Sequence, residues 1–408
     1  MFSVYERQKD ILSIIDRLDI SPTMYANAVK KYKAITQFLI DNGINADMYP
    51  QGSFSVGTVT RPYSKDNNAA YDLDCICQVD GNRDDTVPAD LRNRIQKALE
   101  SNEIYKSRLI VEDECFTIKY ADCGDAEFSI DIVPAVDESS KRKEILAKKC
   151  KNSELINTAI AIPKFDKESN YEWLTNNPKG FQKWFDDVNE PFLVAVREQY
   201  RQKLFENNAA MYASVEEIPS QLERSSLQRV IQILKYHRDK YYKNLDSNLK
   251  PISAILNTVV AKIADGYDRK NGCGVFELLE FVLNEFEIYS KYQKVSEIEF
   301  KNNYGARSAI SYNNHKWNIA NPANPEDNLA DKWNSNARIP MVFFKWIATV
   351  KYDLIEMIRT EDDQAFGVIL ENAFGSQNVT SVLGEKYVRK EAPKIILPQT
   401  APKPYFKV

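Results

Sequence analysis

Apolar and polar residues alternate with a period of two along Tyr71-Asp72-Leu73-Asp74-Cys75-Ile76-Cys77-Gln78-Val79, the pattern of a strand. On that reading Tyr71, Leu73, Cys75, Cys77 and Val79 form an apolar face, and Asp72 and Asp74 share the other. The period recurs in Glu127-Phe128-Ser129-Ile130-Asp131-Ile132-Val133-Pro134, where Phe128, Ile130 and Ile132 point to a core and Asp131 shares the side of Ser129. Cys115 to Tyr120 and Ala126 to Val136 read as a hairpin closed by Asp122-Cys123-Gly124-Asp125. Elsewhere the period is helical. Ser21-Pro22 starts a helix whose stripe of Ala28, Tyr32, Ile35 and Leu39 ends at Asn42-Gly43, and Pro88 to Ser101 reads as another. From about Val215 strand signals fade, and helices are predicted over Ser225–Tyr242, Pro251–Ala264, Val275–Tyr292 and Pro340–Arg359. A tail from Ala392 with Pro393, Pro398, Pro402 and Pro404 is expected to be extended or disordered. The fold class is therefore α+β. A small mixed sheet with flanking helices is expected over residues 1–210, a helical lobe over 211–391 and the proline-rich tail over 392–408.

Two carboxylates side by side on one strand repel each other unless a cation is near, and paired oxygen ligands suit a magnesium ion that keeps some of its waters. With Asp131 as a third acid, Asp72 and Asp74 could hold two cations roughly 3.5–4 Å apart, the arrangement that clamps both oxygens of an in-line phosphoryl displacement. Upstream, Gln51-Gly52-Ser53-Phe54 supplies a Gly-Ser turn that lets backbone approach a phosphate and offers a hydroxyl donor. Alone, a Gly-Ser pair is usually a turn, and an Asp-x-Asp is often a solvated edge or a calcium loop. The order of the turn, the acid pair and the third acid in an apolar strand favours catalysis.

These residues resemble the polymerase-beta-like nucleotidyltransferases, and within them the CD-NTase family, the bacterial cyclic-oligonucleotide synthases of anti-phage CBASS defence. Further matches are Ser226 to Asp239, which resembles the family's helix with a phosphate-binding lysine, here Lys235, and Asn321-Pro322-Ala323-Asn324-Pro325-Glu326-Asp327-Asn328 before Trp333. Trp173 to Trp184, around Asn177-Pro178-Lys179-Gly180, is similar too. The resemblance implies a polymerase-beta-like core closed by a helical lobe, with the helix from Ser21 spanning both. It also implies two magnesium ions, replaceable by manganese, on Asp72, Asp74 and Asp131, and nucleotide contacts from Gln51, Gly52, Ser53, Lys235 and Ser253. The implied reaction joins ATP, GTP or a pyrimidine nucleotide into a cyclic di- or trinucleotide, with regulatory protein partners from the defence operon. Tailing of RNA, or nucleotidylation of a protein or small molecule, uses the same core and is the alternative.

Spacing alone treats several of these residues more plainly. Leu227, Val230, Ile231 and Leu234 make an apolar stripe that leaves Lys235 at its margin and Gln228, Gln232 and Arg238 more exposed, so that Lys235 would simply snorkel to solvent. Ala254, beside Ser253, cannot stack a base as an aromatic does in some relatives. Trp173, Phe181, Trp184 and Phe185 read as core anchors at helical spacing, and His237 as a structural hydrogen-bonding group.

Composition narrows the class. The 408 residues carry a formal net charge of −4, so the chain lacks the basic excess of a protein that grips long nucleic acid. The local run from Lys141-Arg142-Lys143 to Lys151 is diluted by Glu138, Glu144 and Glu154 and reads as a solvated helix face sooner than as a polyphosphate contact. Two histidines exclude histidine-rich metal chemistry, and six cysteines without a Cys-x-x-Cys pair read as reduced and buried. No apolar run is long enough to span a bilayer and no signal pattern opens the chain, which predicts a cytoplasmic enzyme.

Overall fold

The computed structural model describes residues 3–61, 71–120, 128–168, 170–207, 223–268 and 274–387. In chain order, α1 (Val4–Leu18) and α2 (Pro22–Asp41) precede β1 (Ala46–Pro50), the one-turn α3 (Gly52–Ser55), β2 (Tyr71–Asn82), α4 (Pro88–Glu100) and α5 (Glu103–Lys106). Next come β3 (Leu109–Val111), β4 (Phe116–Tyr120), β5 (Phe128–Asp137), α6 (Ser140–Ala147), β6 (Ile160–Asp166), β7 (Asn170–Asn176) and α7 (Pro178–Asn207). The helical part holds α8 (Ser226–Tyr241), α9 (Ser253–Ala264), α10 (Val275–Ser290) and α11 (Glu297–Tyr304), interrupted by two small hairpins. These are β8 (Ser311–Asn313) with β9 (Lys316–Asn318), and β10 (Ala320–Asn321) with β11 (Asn324–Asn328). It closes with α12 (Asp331–Ser335), α13 (Arg338–Lys351), α14 (Asp363–Phe374) and α15 (Ser376–Leu383).

The sheet is mixed. Its order is β1-β2-β5-β4-β3, with β6 pairing the far end of β5 and β7 outside β6. The expected hairpin is present as antiparallel β4 and β5, though its turn lies outside the described residues. The pairing of β2 with β5 is parallel, which a hairpin cannot make; the chain crosses through α4, α5, β3 and β4 to achieve it. β5 is thus central and buried on both faces, with Asp131 the one half-exposed residue before its terminal Asp137. Leu73, Cys75, Cys77 and Val79 join Ile130 and Ile132 in a core beneath α2 and α4, as the alternation predicts.

The helix predicted from Ser21 forms with Ser21 as its N-cap. Its buried residues Ala28, Ile35 and Leu39 belong to the sheet's core alone. The separate α1 instead contributes Ile11, Ile14, Ile15 and Leu18 to the helical core, where Phe185, Val188 and Phe192 of α7 join α8 to α14. Both segments precede residue 210, as does Val56, which also joins this core, so the helical core is assembled from four stretches of chain. The proline-rich tail lies outside the described residues.

Candidate active site

A cleft of about 360 Å³ opens between the sheet and the helical core, lined by Gln51, Gly52, Ser53 and Asp74 on one side and by Ser253, Ala254 and Asn257 of α9 on the other. Its remaining wall comes from the start of α7 and from the β10–β11 hairpin. The Gly-Ser turn is tied to the acid strand by backbone: the Gln51 N–H donates to the Asp74 carbonyl at 2.8 Å. Gly52 has φ +63°, and a Cβ there would come within 3.0 Å of Asp74 Oδ2. Glycine therefore serves both the left-handed backbone and the close approach of turn and carboxylate.

Asp74 on β2 pairs in register with Asp131 on β5, and Asp72 with Ser129. The Asp-x-Asp strand thus lies next to the third acid's strand with Asp74 directly opposite Asp131, although the Asp72 side chain is outside the described set. Both Asp74 and Asp131 are half-buried. Asp131 Oδ1 accepts a 2.6 Å hydrogen bond from the Thr117 hydroxyl on β4. Behind them the Cys75 thiol is pushed far up by burial and then by the charges of Asp74 and Asp131, and burial pushes Cys77 up to about 12. Both cysteines are free and fully buried, as expected from the sequence, whereas Cys115 and Cys150, expected to be buried as well, are free and half-buried. The donor set at this point is carboxylate oxygen without histidine or thiolate, which fits a hard divalent cation such as magnesium. Among the described residues no group of three metal-ligating side chains gathers; the described side chains supply Asp74 and Asp131 of the expected three.

α8 departs from its sequence reading. Gln228, Gln232 and Arg238, expected to be more exposed, are buried, and so is Lys235 at 3% exposure. Gln228, Gln232 and Lys235 lie on one helical face and grip the strip of chain that follows the Gly-Ser turn. Gln228 Nε2 donates to the Val56 carbonyl at 3.0 Å, Gln232 Nε2 to Val59 at 2.9 Å, and Lys235 Nζ to Thr58 at 2.8 Å. Lys235 therefore does not snorkel, and it sits behind the turn and outside the cleft's lining. Burial, then the charge of Arg238, lowers its pKa to about 7. Ser253 lines the cleft, and its hydroxyl accepts from Arg238 at 3.1 Å.

Several cleft residues escaped the sequence reading. Trp173 is on strand β7, not at helical spacing with the others, and packs on the sheet's core. Phe185 is a fully buried anchor, whereas Phe181 lines the cleft beside Asn176 and Asn177. Asn177 Nδ2 donates to the Leu155 and Ala323 carbonyls, both at 2.8 Å, while Oδ1 accepts from Thr158 at 2.9 Å and Gly180 N–H at 3.0 Å. That uses the whole capacity of the amide and joins α7 to the β10–β11 hairpin. From the same hairpin Asn321 and Asp327, with Leu329 just after it, line the cleft. The Asn-Pro motif was visible in the sequence; its place in the cleft wall was not.

The basic run is engaged in ion pairs. Arg142 and Lys149 both meet Glu326 of β11, and Lys143 meets Asp137 at 2.7 Å. His237 is structural, as expected: Trp346 Nε1 donates to its Nδ1 at 3.1 Å, which leaves Nε2 to donate to Asp353 at 3.0 Å.

Residues 6–189 match the Second Messenger Oligonucleotide or Dinucleotide Synthetase domain. By that domain and by its fold, the chain is similar to the CD-NTase family. It is 24% identical over 371 residues to a c-di-GMP synthase of Roseivirga ehrenbergii, covering 90% of this chain and 83% of the relative. Among solved structures it resembles the Bradyrhizobium diazoefficiens CD-NTase CdnG in complex with GTP, with a TM-score of 0.63, 21% identity and coverage of 91% of this chain and 96% of that one. It also resembles CdnC of E. coli MS115-1, solved in a complex with HORMA-deltaN, at TM-score 0.54 and 15% identity over 90% of this chain and 97% of that one. Vibrio cholerae DncV, a cyclic AMP-GMP synthase solved with nonhydrolyzable GTP, matches at TM-score 0.51 and 14% identity, over 82% of this chain and 70% of that one. No helix among the described residues is long and apolar enough to cross a membrane.

Proposed function

We propose that this chain is a metal-dependent nucleotidyltransferase that joins nucleoside triphosphates into a cyclic di- or trinucleotide second messenger, releasing pyrophosphate at each join. The register of Asp74 with Asp131, beside a cleft walled by the Gly52 turn, carries the reading. Asp72, Asp74 and Asp131 would hold two magnesium ions, or manganese, which when bound would neutralise triphosphate charge and make the acceptor hydroxyl more acidic. The protein's own groups do the rest. Gln51, Gly52 and Ser53 receive the triphosphate, and Ser253 approaches it from α9. Lys235 holds the Thr58 carbonyl and so braces the segment that follows the turn. Asp131, oriented by Thr117, takes the proton of the attacking hydroxyl as its oxygen bonds the α-phosphorus and pyrophosphate leaves.

ATP, GTP or both are the proposed substrates, and a protein of the same defence operon is the proposed regulator. Support for the regulator is the HORMA-bound E. coli neighbour. A role in cytoplasmic CBASS defence rests on the resemblance to the family. The net charge of −4 supports a small-molecule acceptor over long RNA. The test is incubation of the purified chain with labelled triphosphates and magnesium or manganese. Phosphatase-resistant products of two or three nucleotides, formed without RNA, are expected; products that lengthen on an added RNA primer would overturn the reading.

A further inference from the structure

The cleft wall contributed by the β10–β11 hairpin is polar in one sense only. Asn321 is locked in place: its Oδ1 accepts the Ala323 N–H and its Nδ2 donates to Asp327 Oδ2, each at 3.0 Å. Among the described residues no donor reaches the other oxygen of Asp327, Oδ1, and Asp327 lines the cleft. Asp327 is not a third partner of Asp74 and Asp131, because no group of three such side chains gathers among the described residues. Nor does the neighbouring Asn177 compete for a ligand, since all four of its hydrogen-bonding positions are used within the protein. Phe181, Leu329 and Ala254 supply apolar surface in the same cleft, suited to the faces of a flat ring.

A carboxylate is an acceptor-only group, and its two oxygens match two adjacent donors. Of the common bases, guanine alone presents such a pair, N1–H beside the 2-amino group. Adenine sets a bare N1 beside its 6-amino group, cytosine a bare N3 beside its 4-amino group, and uracil flanks its single N–H with carbonyls; each would turn a lone pair toward the carboxylate.

We propose that Asp327 is the base-selecting residue of this cleft, accepting from N1–H and the 2-amino group of a guanine, so that GTP is a preferred substrate. The proposal rests on the nucleotidyltransferase reading and deepens it. A site built to hydrogen-bond a donor discriminates strongly against analogues that lack it, because its own polar group is then left unpaired.

The test is calorimetric binding of nonhydrolysable GTP, ITP and ATP analogues to the full chain with magnesium. GTP should bind about tenfold tighter than ITP, which lacks the 2-amino group, and about a hundredfold tighter than ATP. Asp327→Asn, which offers one amide N–H where the carboxylate had an acceptor, should lose about ten- to a hundredfold for GTP and remove the GTP–ITP difference, with ATP held or improved. Equal binding of GTP and ATP by the unmodified protein, or equal loss of both in Asp327→Asn, would overturn the assignment of Asp327 alone. Binding of none of the three would overturn the nucleotidyltransferase reading with it.

Discussion

Asp74 and Asp131 are register partners on two parallel strands, so their carboxylates are held side by side by backbone pairing and not by side-chain flexibility. Asp74→Asn or Asp131→Asn, and the double change of Asp72 and Asp74 to Ala, should lower pyrophosphate release by two to three orders of magnitude, about the scale of losing one charge-stabilising group in an active site. Melting temperature should hold or rise, since removing one of two crowded carboxylates relieves repulsion. Chelation should silence the unmodified enzyme reversibly. Near-normal release by a folded variant would show that the acids do not bind the reacting triphosphate.

Thr117 orients one of these acids through a single 2.6 Å bond. Thr117→Val keeps the shape and removes the donor, so turnover should fall about tenfold with little change in KM, because a charge-assisted hydrogen bond is worth roughly 1.5–3 kcal/mol. Steady-state kinetics separates this from weakened substrate binding, which would raise KM instead.

Gly52→Ala meets two obstacles, a φ of +63° and a Cβ within 3.0 Å of Asp74 Oδ2. The left-handed backbone should cost about 1–2 kcal/mol, read as a lower melting temperature. Activity should fall further than stability, since relief of the contact displaces either the turn or Asp74. A variant with full turnover would show that the turn need not approach the acid strand.

Lys235 predicts a pH dependence. Its folded pKa is lowered to about 7 against an ordinary 10.5, so the unfolded chain binds the extra proton between these values. Stability from this group therefore rises as pH increases from about 7 toward 10.5, and its cost is fully present below that window. Measured against Lys235→Met, the unmodified protein should gain melting temperature between pH 7 and pH 9. A constant difference would place the lysine in a solvated setting. Lys235→Ala should also lose about 1–3 kcal/mol through the unpaired Thr58 carbonyl.

Asn177 makes four hydrogen bonds, two of them to the buried carbonyls of Leu155 and Ala323. Asn177→Ala should destabilise the protein by about 2–4 kcal/mol, seen in urea unfolding, because several partners lose their bonds at once. Nucleotide binding should weaken as well, since the amide joins α7 to the hairpin that walls the cleft. An unchanged unfolding midpoint would refute the role of this amide as a junction.

Strand and helix periods are local, and so the acid strands, the helix from Ser21, the β4–β5 hairpin and the main C-terminal helices were all legible in the residues themselves. The chemistry of the acids was legible too, because Asp72 and Asp74 share one face of a strand and Asp131 stands among the core residues of another, where burial would otherwise exclude charge. What periodicity cannot carry is partner choice. The parallel pairing that sets Asp74 against Asp131 depends on a crossover through four elements, and α1 reaches the helical core across the whole sheet sequence. Gln228 and Gln232 looked exposed, and Lys235 at the margin of the stripe looked free to snorkel, because polar residues beside an apolar stripe usually meet water. Tertiary structure gave them the carbonyls of Val56, Val59 and Thr58 instead, and a buried backbone acceptor must find a donor wherever the chain brings one. The same reason hid Asn177 and Asp327. Their roles lie in atoms more than a hundred residues apart, or in a cleft that exists only once the two cores meet.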